Sequence, residues 1–193
     1  MKKIVKKTYL LGIILLAAVT LKAQEPNTFY VGYGVATHES ISSTFDGLNM
    51  YLFTLGNVTL RNEKYSGAIF AGYPKHMSKH WEIGGLVAYE NTEGDFRIFE
   101  TDHRMRQHIY AVMGEIRYNY ISRPRMKVYS GASAGLSLHN IAVSGEYADH
   151  DNEIEEAFHV DLIGVSVGQT FAPFISIGWG YKGLINIGLQ KRF

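Results

Sequence analysis

Apolar and polar side chains alternate through the last ten residues of the chain. Ile185, Ile187, Leu189 and Phe193 are apolar, and Asn186, Gly188, Gln190 and Arg192 stand between them. A repeat of two is the repeat of a β-strand with one apolar and one polar face. A strand of about ten residues is also long enough to cross a bilayer at a tilt. The pattern therefore predicts a transmembrane strand, with an aromatic residue closing it.

The same repeat predicts seven further strands. The first, 28–37, sets Phe29, Val31, Tyr33 and Val35 against Tyr30, Gly32, Gly34 and Ala36. The second covers 62–73. The third, 80–90, sets Trp81, Ile83, Val87 and Tyr89 against Glu82, Gly84, Leu86 and Ala88. The fourth, 105–120, sets Tyr110, Val112, Ile116, Tyr118 and Tyr120 against Met113, Glu115, Arg117 and Asn119. The fifth, 127–141, alternates Ala132, Ala134, Leu136 and Leu138 with Gly131, Ser133, Gly135 and Ser137. The sixth covers 157–168. The seventh, 174–181, sets Ile175, Ile177, Trp179 and Tyr181 against Ser176, Gly178 and Gly180. The expected fold is all-β, an eight-stranded antiparallel up-and-down transmembrane barrel.

The connections alternate in length. Those after strands one, three and five are long (38–61, 91–104, 142–156), and those after two, four and six are short, around Pro74, Pro124 and Pro173. Proline cannot donate to a ladder and belongs at strand ends and turns. Short turns at one end and long loops at the other are the layout of an outer-membrane barrel. The first long connection is too apolar for an ordinary loop. Phe45, Leu48, Leu52 and Leu55 fall at helical spacing, Ser43 or Thr44 is placed to cap the start, and Gly56 to end it. A short amphipathic helix is predicted there, closing the barrel mouth or lying at the outer membrane interface; the alternative is a hairpin extending strands one and two.

The first residues read differently. Lys2, Lys3, Lys6 and Lys7 precede an apolar run over 9–21, and Leu21-Lys22-Ala23 offers a cleavage site, the layout of a secretory signal peptide. The expected division is a signal peptide at 1–23 and a barrel at 24–193. Removing 23 of the 193 residues leaves 170, enough for one domain. The leader carries five of the 19 Lys+Arg and none of the 18 Asp+Glu, so 14 against 18 remain and the formal charge of +1 becomes −4. Such a balance does not point to nucleic acid. The absence of cysteine excludes disulfides and thiolate metal sites.

Charge also separates by end. Lys75, Lys79, Arg123, Arg125, Lys127, Lys191 and Arg192 cluster near the short turns, whereas the three long connections hold 12 of the 18 acids and three of the 14 remaining Lys+Arg. A soluble lipocalin-like barrel would turn its apolar face inward around a small ligand. The stripe of Gly131, Ser133, Gly135 and Ser137 beside Glu115 and Arg117 fits better the narrow interior of an eight-stranded membrane barrel, and tyrosines and tryptophans near strand ends fit aromatic girdles.

The chain resembles the small outer-membrane β-barrel proteins of Gram-negative bacteria, the OmpA/OmpX-like superfamily, and within it a group of outer-membrane β-barrel domain proteins. The residues that carry the resemblance are Tyr65-Ser-Gly-Ala-Ile-Phe-Ala-Gly-Tyr73, Glu82-Ile-Gly-Gly85, Gly178-Trp-Gly-Tyr-Lys-Gly-Leu-Ile-Asn-Ile-Gly-Leu189 and Phe193. The resemblance implies insertion into the outer membrane from the periplasm by the barrel-assembly machinery. It implies that Ile185, Ile187, Leu189 and Phe193 form the assembly signal. Lys191 departs from the pattern, since an aromatic residue is usual there.

Candidate chemistry is sparse. Glu82, Glu115, Arg117 and Arg192 share inward parity and are expected to form an interior charge network that fills the lumen, because buried charges need partners. His76-Met77-Ser78 with Glu90 imitates the spacing of a lipid A deacylase, but His76 and Ser78 are expected in a turn and Glu90 at the far end of a strand. His38-Glu39-Ser40 has no matched acid. His139 is expected to point inward, and His108 and His159 outward, which argues against a shared metal. The acidic run over 149–156 is expected to be a solvated loop rather than a calcium loop, since it lacks the glycine and spacing of one. No catalytic residue, metal or cofactor is assigned. The expected protein is a monomer that is not an enzyme, with a plugged lumen and a structural or surface-interaction role. Its expected partners are outer-membrane lipid, lipopolysaccharide and an unidentified extracellular ligand. The alternatives are a narrow channel and a lipid A-modifying enzyme.

Overall fold

The computed structural model describes residues 27–38, 40–41, 58–98, 101–144 and 149–193. Eight strands run in sequence: β1 (Thr28–Val35), β2 (Val58–His76), β3 (Trp81–Ile98), β4 (Thr101–Arg123), β5 (Met126–Ser144), β6 (Asp149–Val167), β7 (Phe171–Gly180) and β8 (Ile185–Arg192). Each pairs antiparallel with its neighbour, and the sheet closes into a barrel. The closing seam joins β1 to β8 in unbroken register from Thr28↔Arg192 to Val35↔Ile185. Closure leaves no free edge around this part of the sheet.

The barrel is inside-out relative to a soluble domain. Val31, Val87, Val112, Ile175 and Ile187 point outward and are 45–58% exposed. Two groups of outward aromatic rings flank this belt. Trp81, Tyr118 and Tyr120 are in contact near the short turns, with centroids 4.9 and 5.2 Å apart. Tyr89–Tyr110 and Phe158–Trp179 meet at 5.1 and 5.3 Å nearer the other end. Tyr110 and Tyr118 lie eight residues apart on β4, about 26 Å of strand before tilt. Among the described residues no helix is long and apolar enough to cross a membrane; a barrel crosses with strands.

The strands are unequal, and this departs from the sequence expectation. β2 to β6 are 18 to 23 residues long, whereas β1, β7 and β8 have 8, 10 and 8. The expected long connections at 91–104 and 142–156 are largely strand: β3 reaches Ile98, β4 starts at Thr101, β5 reaches Ser144 and β6 starts at Asp149. The acidic run over 149–156 is therefore paired with β5 rather than looped. The reason is physical. Hydrophobic periodicity reports one-sided burial, and Asn152 to Glu156 are exposed on both faces of β6, so their pairing leaves no alternation to read. Pro173 lies within β7 rather than in the turn before it.

Two parities are also corrected. His159 faces the lumen, not the exterior, and is fully buried. A register irregularity between Asp161 and Ile163 puts Leu162 and Ile163 both outside, and it reverses the alternation along β6. Tyr181 is buried rather than outward, because β7 ends at Gly180, whose φ of 120° turns the chain inward. The predicted loop helix lies outside the described residues; just before it, the Ile41 N–H is bonded to Thr37 C=O at 3.1 Å. Phe45, Leu48, Leu52 and Leu55 lie outside the described residues, as does the signal segment 1–23.

Candidate functional site

Inward positions alternate with outward ones, so each strand sends every second side chain into a lumen just wide enough to be filled. Buried polar groups there need partners. Many of them find one in stacked layers.

At the short-turn end, Arg192 is half-buried. Its Nη1 donates to Pro124 O (3.1 Å) and Gly168 O (2.9 Å), and its Nη2 to Ser166 Oγ (2.7 Å). With its amide oxygen turned toward Arg192, Gln190 accepts from Nη2 at 2.6 Å and Nε at 2.9 Å. One layer in, Lys127 Nζ lies 2.6 Å from Glu82 Oε1 and 2.8 Å from His76 Nε2.

The central layer is built around Arg117. Its Nε and Nη2 reach Glu115 Oε1 at 3.0 and 2.9 Å. The guanidinium sits 4.2 Å from the Tyr30 ring centroid and 4.9 Å from that of Tyr129, a cation held between two aromatic faces. Tyr30 donates to the other Glu115 oxygen at 2.8 Å.

Asp161 anchors the next layer. It accepts from Lys182 Nζ, from Ser176 Oγ at 2.8 Å and from His159 Nε2 at 3.2 Å. His159 Nδ1 accepts the Lys182 backbone N–H at 3.2 Å, which fixes the imidazole with its proton on Nε2, facing the carboxylate. Lys182 also stands 3.6 Å from Glu115, joining the two layers. Tyr30, Phe70, Leu86, Met113 and Phe174 pack as an apolar cluster within the same lumen.

At the far end, His139 Nε2 lies 3.0 Å from Ser137 Oγ and 3.1 Å from Tyr181 Oη, and Gln107 meets His139 Nδ1 at 2.9 Å. Thr37 Oγ1 donates to Glu90 Oε1 at 2.6 Å. Ser137 and His139 are two apart on one face of β5 and are engaged by Tyr181 and Gln107, so they form part of a packed hydrogen-bonded layer.

The four charges picked out in the sequence thus separate. Glu115 and Arg117 pair with each other. Glu82 is buried but turns to Lys127, and Arg192 binds turn carbonyls at the rim. Lys127 shares parity with Gly131, Ser133 and Ser137, a signal that was available in the sequence. Asp161 is hidden by the bulge beside it, and Lys182 lies in the β7–β8 turn, where no repeat marks direction. Ile185, Ile187 and Leu189 face outward, and Phe193 is exposed at the end of the seam.

A closed eight-stranded antiparallel barrel with a polar, hydrogen-bonded lumen and an apolar belt has the architecture of a small transmembrane β-barrel. No protein-family model and no curated protein matches the chain. Solved structures of similar shape include the N-terminal β-barrel domain of Pseudomonas aeruginosa OprF, at 12% identity and TM-score 0.46 over 89% of this chain and 100% of that one. Ail, the attachment invasion locus protein of Yersinia pestis, in complex with the heparin analogue sucrose octasulfate, is similar at 11% identity and TM-score 0.47, with the same coverage. A second Ail structure is similar at 12% identity and TM-score 0.42, again over 89% and 100% of the two chains.

Proposed function

We propose that this chain is an outer-membrane β-barrel of a Gram-negative bacterium with a lumen closed to solutes, and that it acts at the cell surface through the tall wall formed by β2 to β6. The observation that carries this reading is the inequality of the strands. β1 pairs with β2 no further than Gly34↔Ala68, and β7 pairs with β6 no further than Gly180↔His159. Among the described residues, ten residues of β6, 149–158, therefore stand beyond β7, about 33 Å of strand. On this wall Asn152 to Glu156 present side chains from both faces. The wall carries the acidic run and cross-strand pairs such as Arg106–Glu93 at 2.8 Å. The paired termini and short turns are placed in the periplasm, and the wall outside.

The belt supports the membrane part of the reading. Val112→Arg, in the middle of the belt, is expected to destabilise the barrel in vesicles by about 2–4 kcal/mol. Urea titration followed by the gel mobility of folded and unfolded forms measures this; an unchanged midpoint would remove the bilayer from the picture.

The chain has no cysteine, so orientation is testable with single labels. Ile154→Cys is expected to react with an impermeant maleimide on intact cells, and Lys79→Cys only after the outer membrane is permeabilised. The reverse result overturns the orientation. In planar bilayers the layered lumen supports a prediction of no discrete conductance steps; regular ohmic steps would establish a channel in place of a closed barrel.

A further inference from the structure

The short-turn end holds a cavity of about 440 Å³ lined by His76, Lys79, Ser122, Arg123, Pro124, Lys127, Gln169 and Arg192. Four of these residues are cationic, and none is acidic. Lys127 and Arg192 form the inner part and are held in place by Glu82, His76, Ser166 and two turn carbonyls. Lys79, in the β2–β3 turn, and Arg123, at the end of β4, stand exposed. Neither forms an ion pair among the described residues. Glu82, which lies outside the lining, is the acid that pairs with Lys127.

The barrel therefore gathers four cations at a concave site, of which Lys127 is paired with Glu82 and the exposed Lys79 and Arg123 have no ion pair among the described residues. Like charges crowded this way repel one another unless an anion lies between them. A fixed inner pair and two adjustable outer arms also suit an ion bound from several sides. Arg123 offers a planar fork of donors and Lys79 a mobile point charge, which together match the tetrahedral oxygens of a phosphoryl group, while Arg192, whose donors are taken by Pro124, Gly168, Ser166 and Gln190, contributes its charge. A volume at the lower end of the range for small-molecule sites leaves room for more than an inorganic ion.

We propose that this cavity is a binding site for a phosphate-bearing ligand, either a soluble phosphate ester or the head group of a neighbouring phospholipid. The site goes beyond the surface role proposed above. Its chemistry does not depend on that role; only its access to periplasmic anions rests on the proposed orientation.

The test is calorimetric titration of inorganic pyrophosphate into the full barrel in maltoside micelles, which contain no phosphate. Saturable one-site binding is expected, weakening as sodium chloride is raised. The double variant Lys79→Gln/Arg123→Gln, whose positions are exposed in a turn and at a strand end, is expected to bind at least about tenfold more weakly while keeping the gel mobility of the folded form. Arg106→Gln, on the far wall, should bind as the parent does. Repeating the titration in phosphatidylglycerol nanodiscs separates the sources. Weaker apparent binding there assigns the site to lipid head groups, and unchanged binding assigns it to soluble anions. Absence of saturable binding in micelles, an unchanged affinity in the double variant, or an equal loss in Arg106→Gln overturns the proposal.

Discussion

Asp161→Ala is expected to destabilise the barrel by about 3–5 kcal/mol, the cost typical of removing one member of a buried ion pair. Asp161 is the acceptor for Lys182, Ser176 and His159. Without it, Lys182 remains 2% exposed with Glu115 at 3.6 Å as its remaining ionic contact. The lysine cannot swing to solvent cheaply, because its side chain is buried inside the barrel with Nζ 5.5 Å from the Phe70 ring centroid. The loss comes mostly from the stranded charge rather than from the missing bond. It follows that Asp161→Ala with Lys182→Met should recover most of the stability, since replacing both partners by apolar groups is often near neutral. Urea midpoints in vesicles decide the matter. A single variant within about 1 kcal/mol of the parent, or a double variant no better than the single, would sink the account.

The second large effect is expected at the seam. A Cβ on Gly34 would lie 1.6 Å from the Lys182 carbonyl oxygen and 2.3 Å from Asn186 Oδ1. The carbonyl belongs to the β7–β8 turn, which is tied to β1 by Leu184 N–H bonds to Val35 O (2.9 Å) and Ala36 O (3.1 Å). One methyl group therefore has to push the turn away from β1, drawing Lys182 off Asp161 as it goes. Gly34→Ala is expected to cost about 3 kcal/mol or more, at or above the upper end of ordinary overpacking, and to lower the folded yield on insertion into vesicles. Gly85→Ala is the matched control, because its added Cβ would meet nothing nearer than Met113 O at 3.7 Å. Equal yields and midpoints for the two variants would show that the seam tolerates the methyl. The two sites also act through the same lysine, so their combined effect should be less than additive.

Legibility follows burial. Along β1, β3, β4, β5 and β8 one face meets the apolar exterior and the other the barrel interior, so a repeat of two is imposed on the residues and Val112, Glu115, Arg117 and Ile187 are placed correctly by counting. Above the belt, Asn152 to Glu156 of β6 are exposed on both faces. Nothing then selects alternating residues, and this part of β6 resembles a loop although it is paired with β5. At irregularities the counting itself fails, as it does for His159 across the Leu162–Ile163 bulge and for Tyr181 beyond Gly180.

Local pattern alone therefore determined the strand class, the number of strands, the separation of apolar and polar faces, and the concentration of basic residues at one end. These follow from which side of each strand is buried, a property written at a spacing of two. The tertiary structure decided which charges meet. Lys182 reaches Asp161 from a turn, Lys127 reaches Glu82 across the lumen, and Arg117 lies between Tyr30 and Tyr129. Such pairings depend on barrel closure, strand register and a single bulge. Those bring together residues far apart in the chain, and no local repeat encodes that distance.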